Sequence, residues 1–301
     1  MSMDTDRNEV ARIMVGHASH IRLHTGNVIN WNLLKKHKFR PAMTSSDELM
    51  DAMHTAMQTW IRSMNIESPN LPEPRNILDV SNTELVAPID SEQRDQMKLS
   101  VKLFLTRWDP ELIRQAVDHV TRELGVQRID SVIVSLPISP PTSLLEPNNN
   151  STSVIHDLEK VKPIWKEMQS TVDSGHVTNI GVCDFDQESL KELNDWARIK
   201  PSTNQINLTN CCAVPCDLIQ YSREKSIELL THNDPAEILS GRKFQSFMSE
   251  ATDDINSTSW SPAYVARYSV LVRYRGIVHS KGYLLSAERS SQDGAEDYGF
   301  F

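Results

Sequence analysis

Three groups of residues have the types and spacing for chemistry. Lys102 stands in the run KLSVKLFLT, the first strand of a strand–helix–strand unit between Lys98 and Pro137. This is the layout of a cofactor-using barrel enzyme, with an amine where such an enzyme needs one. The other groups needed to move a proton and a hydride are missing, and the first tyrosine of the chain is Tyr221. The second group, His232-Asn233-Asp234-Pro235, lies just past a strand end. It reads as a partner contact or ligand-pocket loop, or as an Asx turn in which Asn233 or Asp234 caps the next helix. The third is the adjacent pair Cys211-Cys212, in a loop that follows a strand. Neighbouring side chains diverge on extended backbone, so the two are not expected to bridge each other. They read as a redox-sensing or partner-bonding thiol pair, or as two small buried hydrophobes. His17, His20 and His24 would suit a metal only on a helix, and their segment reads as a hairpin, so no metal site is expected.

Composition limits the partners. The chain has 301 residues and a net charge of −9, which argues against nucleic acid, because phosphate binding needs clustered Lys and Arg. No stretch reaches the roughly 20 apolar residues of a membrane span, and MSMDTDRNEV carries no signal-peptide core. Four cysteines at 183, 211, 212 and 216 fit neither a disulfide scaffold nor a paired zinc motif. Reduced thiols and a cytoplasmic protein are expected.

The elements that must position these residues alternate between strand and helix. IRLHTGNVINW reads as a hairpin turning at Thr25-Gly26-Asn27, followed by a helix capped by Ser46 or Asp47 with Leu49, Met53, Met57 and Trp60 on its packing face. Residues 64–95 read as an irregular insertion, with one strand around Asn76–Val80. Asp109 and Pro110 open a helix with the stripe Leu112, Ala116, Val117, Val120 and Leu124, which Gly125 ends. Ser131–Leu136, Val177–Cys183, Asn204–Leu208, Ile227–Thr231 and Ile277–Ser280 read as strands. Helices are expected from Leu158 to Gly175, after Asp186 with Phe185 and Leu190 as a hydrophobic staple, from Asp217 to Lys225, and from Pro262 to about Tyr274. Strands so spaced, each with its helix, predict parallel pairing by right-handed crossovers. With no glycine-rich phosphate turn, the prediction is an α/β (β/α)8 TIM barrel over residues 1–287 as one domain, with 288–301 a disordered acidic tail.

At the strand ends, where such barrels place function, the chain resembles the aldo-keto reductases. The matching stretches are SVKLFLT, DSVIVSLP, IGVCDFD, KPSTNQINL, DLIQYSREKSIELL and RGIVHSKGY. In that family a tyrosine acid is tuned by a lysine, a histidine and an aspartate. Lys102 matches the lysine, Ser135 stands in place of the histidine, and no tyrosine precedes Lys102. The resemblance therefore leaves Lys102 as a remnant and no catalytic set. It also implies that Gln205 would meet a nicotinamide carboxamide and Lys281 a 2′-phosphate, with His232 near the stacking position. Cys183 and Asp184 replace the serine and asparagine that join the glutamine. No cofactor is required on this reading, although NADPH could still bind.

A second resemblance covers nearly the whole chain. LHTGNVINW, MKLSVKLFL, NQINLTNCCAVPCDL, LLTHNDPAEIL and RYSVLVRYRGIVHSKGYLL together resemble the regulatory (modifier) subunits of glutamate–cysteine ligase, a catalytically silent, aldo-keto reductase-like family. This implies a non-catalytic regulator in glutathione biosynthesis. It would bind the ligase catalytic subunit as a heterodimer, improve use of glutamate and ATP, and weaken feedback inhibition by glutathione. Cys211, Cys212, His232 and Asp234 are then candidate partner or redox residues, with an intersubunit disulfide one outcome. The alternatives are a working NADPH-dependent reductase and an NADPH-binding sensor of the same complex.

Overall fold

Side-chain alternation along the strand Met97–Leu105 decides which side of the sheet each residue serves. Leu99, Val101, Leu103 and Leu105 point one way and join a large apolar core, while Phe104 points the other way into a second core, on the side that also carries Lys102. The computed structural model describes residues 3–29, 43–64, 75–86, 88–137, 157–209 and 213–290. Its strands are β1 (His20–His24), β2 (Ile77–Ser81), β3 (Met97–Leu105), β4 (Ile129–Ser135), β5 (Val177–Cys183), β6 (Thr203–Asn207), β7 (Glu228–His232), β8 (Trp260–Val272) and β9 (Ile277–Arg289). Its helices are α1 (Met3–His17), α2 (Ser45–Ser63), α3 (Glu111–Leu124), α4 (Leu158–Asp173), α5 (Gln187–Trp196), α6 (Cys216–Glu224) and α7 (Gly241–Thr252).

The nine strands form one sheet in the order β2-β1-β9-β8-β3-β4-β5-β6-β7. From β3 to β7 every neighbour is parallel, as the βα alternation predicts. Helices α3 to α6 cover one face of the sheet, and α1, α2 and α7 pack on the other, against β1, β2, β8 and β9. Helix α3 buries Leu112, Ile113, Ala116, Val117, Val120 and Leu124. At about 1.5–3 kcal/mol for each large side chain, that stripe alone outweighs the helix's intrinsic propensity. Gly125 ends it in the left-handed conformation at φ 65.

The C-terminal segment departs from expectation. The stretch read as a helix from Pro262 is the strand β8, which pairs antiparallel with β3 and β9. Tyr264, Ala266, Tyr268 and Val270 recur every second residue and all belong to the large core of Leu99 and Val101 (the outer core), a strand period that the helix-opening proline masked. The register slips between Pro262 and Tyr264, so the proline sits at an irregularity. Arg275-Gly276 turns the chain, with Gly276 at φ 61, and β9 runs to Arg289. Glu288 and Arg289, expected in a disordered tail, are therefore strand residues, while 291–301 lie outside the described residues.

The expected hairpin at Thr25-Gly26-Asn27 is likewise absent. β1 pairs parallel with β2 and antiparallel with β9, partners from far along the chain. A Cβ added at Gly282 of β9 would lie 2.3 Å from the Gly26 carbonyl oxygen, so glycine allows the turn to seat there. Helix α2 starts earlier than expected. Thr44, not Ser46 or Asp47, is its cap, in a reciprocal box with Asp47. Helices α1 and α7 had no counterpart in the sequence reading.

Acid sensitivity follows from one buried imidazole. His119 on α3 lies 3.0 Å from the Tyr264 hydroxyl, and burial pushes its pKa down from 6.5 to about 3. Between those values the unfolded chain binds the extra proton, so stability falls as pH drops from 6.5 to 3, by at most about 5 kcal/mol. Glu123 works in the same direction, because its hydrogen bond with His24 holds its pKa at about 2 despite burial. The urea midpoint should fall steadily over that pH range, and His119→Gln should flatten the fall. Equal slopes in the two proteins would refute the assignment.

Candidate functional site

Strand register builds the site. Lys102 pairs with Arg267, and Arg267 pairs with Tyr283, so β3, β8 and β9 place an amine, a guanidinium and a phenol in one row. Asp234, two residues past β7, reaches this row. Arg267 grips its carboxylate with both terminal nitrogens, at 2.5 and 2.9 Å, and Lys102 Nζ donates at 2.8 Å. Ser45 Oγ, at the start of α2, donates to the other oxygen at 2.6 Å. Lys102 is 5% exposed and Asp234 3%. Burial opposes the carboxylate's charge, yet the hydrogen bonds from His232 and Arg267 and the two cations hold Asp234 far below the ordinary carboxylate range. Lys102 Nζ and Arg267 Cζ also stand 5.1 and 5.5 Å from the Phe104 ring centre.

A second cluster adjoins the first. Cys183 ends β5, and its Sγ lies 3.3 Å from His232 Nε2 and 3.2 Å from Asp184 Oδ2. Asp184 adopts φ 61, a left-handed conformation uncommon for a residue with a side chain. The Asn207 backbone N–H donates to Asp184 Oδ1 at 2.7 Å, and His232 Nε2 lies 3.1 Å from the same oxygen. The other ring nitrogen, Nδ1, is 3.3 Å from Asp234 Oδ2. Burial disfavours the imidazolium, but the two carboxylates outweigh it and push the His232 pKa up to about 10. A protonated Nδ1 has no free lone pair, so it donates to Asp234 rather than accepting from the Asp234 N–H at 3.1 Å.

The sequence-derived residues fare differently. Lys102, His232 and Asp234 converge, although Lys102 and Asp234 come from segments 132 positions apart. Asp234 acts as an ion-pair centre. Ser135 ends β4, opposite Phe104, and is half-buried. Cys211 and Cys212 lie outside the described residues. His17 ends a helix while His20 and His24 are on a strand, so these three do not share a face. Arg267, Tyr283, Ser45 and Asn207 were missed. Arg267 and Tyr283 were hidden by the misread hairpin, whose period-2 pattern was the available signal.

Chemically, Lys102 is committed to Asp234. The phenol in its row, Tyr283, donates to Glu48 at 2.6 Å. Burial and the Glu48 charge raise its pKa, the wrong direction for a proton donor. Tyr221 packs on α6 in the outer core, on the far side of the sheet. The fit to a dinucleotide is one-sided. Gln205 carries a buried Oε1 without a partner, which suits a carboxamide. Lys281, however, pairs with Glu48 at 2.5 Å. Gln205 is thus open to a carboxamide, while Lys281 is already paired.

Comparison with known proteins places these features. The Aldo/keto reductase family model matches residues 79–251, ending before β8. The glutamate–cysteine ligase regulatory subunit of Bos taurus is 38% identical over 95% of this chain and 99% of its own length. That of Homo sapiens is 37% identical over the same shares. A putative one from Schizosaccharomyces pombe is 26% identical over 89% of this chain and 96% of its own. Among solved structures, a Bombyx mori aldo-keto reductase in complex with NADP has a TM-score of 0.33, at 21% identity over 44% of this chain and 40% of its own. The fold is α/β of the aldo-keto reductase (β/α)8 class, and the antiparallel hairpin that departs from it lies outside the matched span.

Removing the Asp234 carboxylate would leave Lys102 and Arg267 buried together without a counter-charge. Asp234→Ala should cost about 3–5 kcal/mol of stability. Ser45→Ala, which removes one neutral donor, should cost about 1 kcal/mol. Similar losses from the two substitutions in urea unfolding would show that the carboxylate is not the anchor.

Proposed function

Because this chain belongs to the aldo/keto reductase family and to the glutamate–cysteine ligase regulatory subunits, we propose that it regulates a ligase catalytic subunit and does no chemistry of its own. The reading rests on one observation, full-length similarity to the regulatory subunits of several animals. The site supports it from the other direction. A reductase needs an acidic phenol beside its lysine, and here the phenol in the row of Lys102, Tyr283, donates to Glu48 and is held protonated.

In this proposal the chain acts in the cytoplasm as one half of a heterodimer. None of the described helices is long and apolar enough to cross a membrane. Binding would favour a catalytic-subunit conformation with higher affinity for glutamate and ATP and lower sensitivity to glutathione. Such a shift requires the regulator to bind the two conformations unequally. Cys211 and Cys212 are the proposed covalent contact, formed when one of their thiols and a partner thiol lose two electrons to an oxidant.

Titrating the purified chain into the catalytic subunit should lower the apparent KM for glutamate and raise the glutathione concentration needed for inhibition. NADPH mixed with the chain and assorted aldehydes should remain unconsumed. An unchanged glutamate dependence at saturating chain would sink the proposal, and steady NADPH turnover would replace it with the reductase. Under mild oxidation, a Cys211→Ser/Cys212→Ser variant should lose any disulfide-linked heterodimer on non-reducing electrophoresis. Its persistence would move the covalent contact elsewhere.

A further inference from the structure

Cys183, Asp184 and His232 offer a thiol, a carboxylate and an imidazole whose donor atoms all lie within 4.8 Å of one another. We propose that these three side chains form a zinc site. A soft thiolate and an imidazole with one carboxylate is a zinc-type donor set. With Zn–S about 2.3 Å and Zn–N and Zn–O about 2.1 Å, tetrahedral geometry puts Sγ about 3.6 Å from each of the other donors. The structure has Sγ at 3.3 Å from His232 Nε2 and 3.2 Å from Asp184 Oδ2. Opening those edges by about 0.3–0.4 Å, a side-chain adjustment, would admit the ion.

The surroundings are those of a metal centre. His232 turns Nε2 toward Cys183 and Asp184 and its other nitrogen toward the Asp234 carboxylate at 3.3 Å, the carboxylate–histidine arrangement that orients a zinc-bound imidazole. The Asn207 N–H and His232 Nε2 both lie against Asp184 Oδ1, and Oδ2 faces Cys183, so Oδ2 is the oxygen offered to the ion. Binding would release the Cys183 thiol proton and the His232 Nε2 proton to solvent, leaving a thiolate and a carboxylate whose two negative charges the ion balances. Gln205 pairs with Cys183 across β5 and β6, so both side chains point to the same face. Its buried Oε1 has no partner, and such an acceptor can hold a water in the fourth coordination position. Cys183 is buried, whereas the Asp184 side chain is 33% exposed, which gives the ion an entry. The site is independent of the regulatory reading and could exist in either a regulator or a reductase.

The test uses the full chain, stripped with a chelator, and Zn2+ and Co2+ alone as probes. A Cys211→Ser/Cys212→Ser/Cys216→Ser variant, which keeps only Cys183, should bind one Zn2+ per chain in competition with a chromogenic chelator. Its Co2+ form should show a thiolate charge-transfer band. Cys183→Ser should abolish that band and weaken Zn2+ binding by at least ~100-fold, the upper end of what loss of an outer-shell partner costs. Circular dichroism would establish that Cys183→Ser folds. If it does not, the triple variant decides alone. Failure of the triple variant to bind Zn2+, or identical titrations of a folded Cys183→Ser variant and the unaltered chain, would overturn the site.

Discussion

The buried pairing of Asp234 with Lys102 and Arg267 is the constraint on which the rest of the site depends. Two cations on neighbouring strands of one sheet face repel each other and cannot be left dry. Asp234 resolves this with five donors on two oxygens, two from Arg267 and one each from Lys102, Ser45 and His232. A buried ion pair of this kind is weak evidence of net stabilisation, because desolvation offsets much of the attraction. Its effect is on position. The loop after β7 and the first turn of α2 must sit where the carboxylate and the serine hydroxyl meet the cations.

The C-terminal hairpin is what creates this situation. Were β3 flanked only by parallel strands of its own type, Lys102 would face no second cation. Inserting β8 and β9 between β1 and β3 brings Arg267 alongside Lys102, and Tyr283 and Lys281 with them. Tyr283 and Lys281 both turn to Glu48 of α2. The hairpin thus ties the helices on its face to the sheet through polar contacts as well as through Trp260, Val265 and Leu285 in the core beneath. The hairpin lies beyond the span that the family model matches.

How much was legible depended on whether a local rule acted alone. Val177–Cys183 came out to the residue, and the Asp186 cap with its Phe185–Leu190 staple is as expected, because capping and apolar period agreed there. At Pro262 two rules conflicted. Proline favours a helix start, while the alternating Tyr264, Ala266, Tyr268 and Val270 favour a strand, and sheet partners from distant segments settled it. The Thr25-Gly26-Asn27 turn failed similarly. The turn chemistry was present, with Gly26 at φ 71, but a hairpin also needs the following segment as partner, and β9 took that place. In the site, Lys102, His232 and Asp234 stood out as charged or titratable groups at strand ends. Arg267 and Asn207 did not, because their roles arise only from register.

The two clusters of the site are mechanically one. His232 meets Asp184 through one nitrogen and Asp234 through the other, and Asn207 donates its backbone N–H to Asp184 and its side-chain amide to the Asp234 carbonyl. The salt-bridged half is fixed by buried charge that cannot move without loss of its partners. It therefore holds the imidazole in a set orientation whatever lies beyond Nε2. Cys183 and Asp184 meet a ring already aimed at them, so whatever occupies the space between them need not supply that ordering. The positive φ at Asp184, which aspartate adopts more readily than most residues, is held because the Asn207 N–H and the His232 ring both fix its carboxylate.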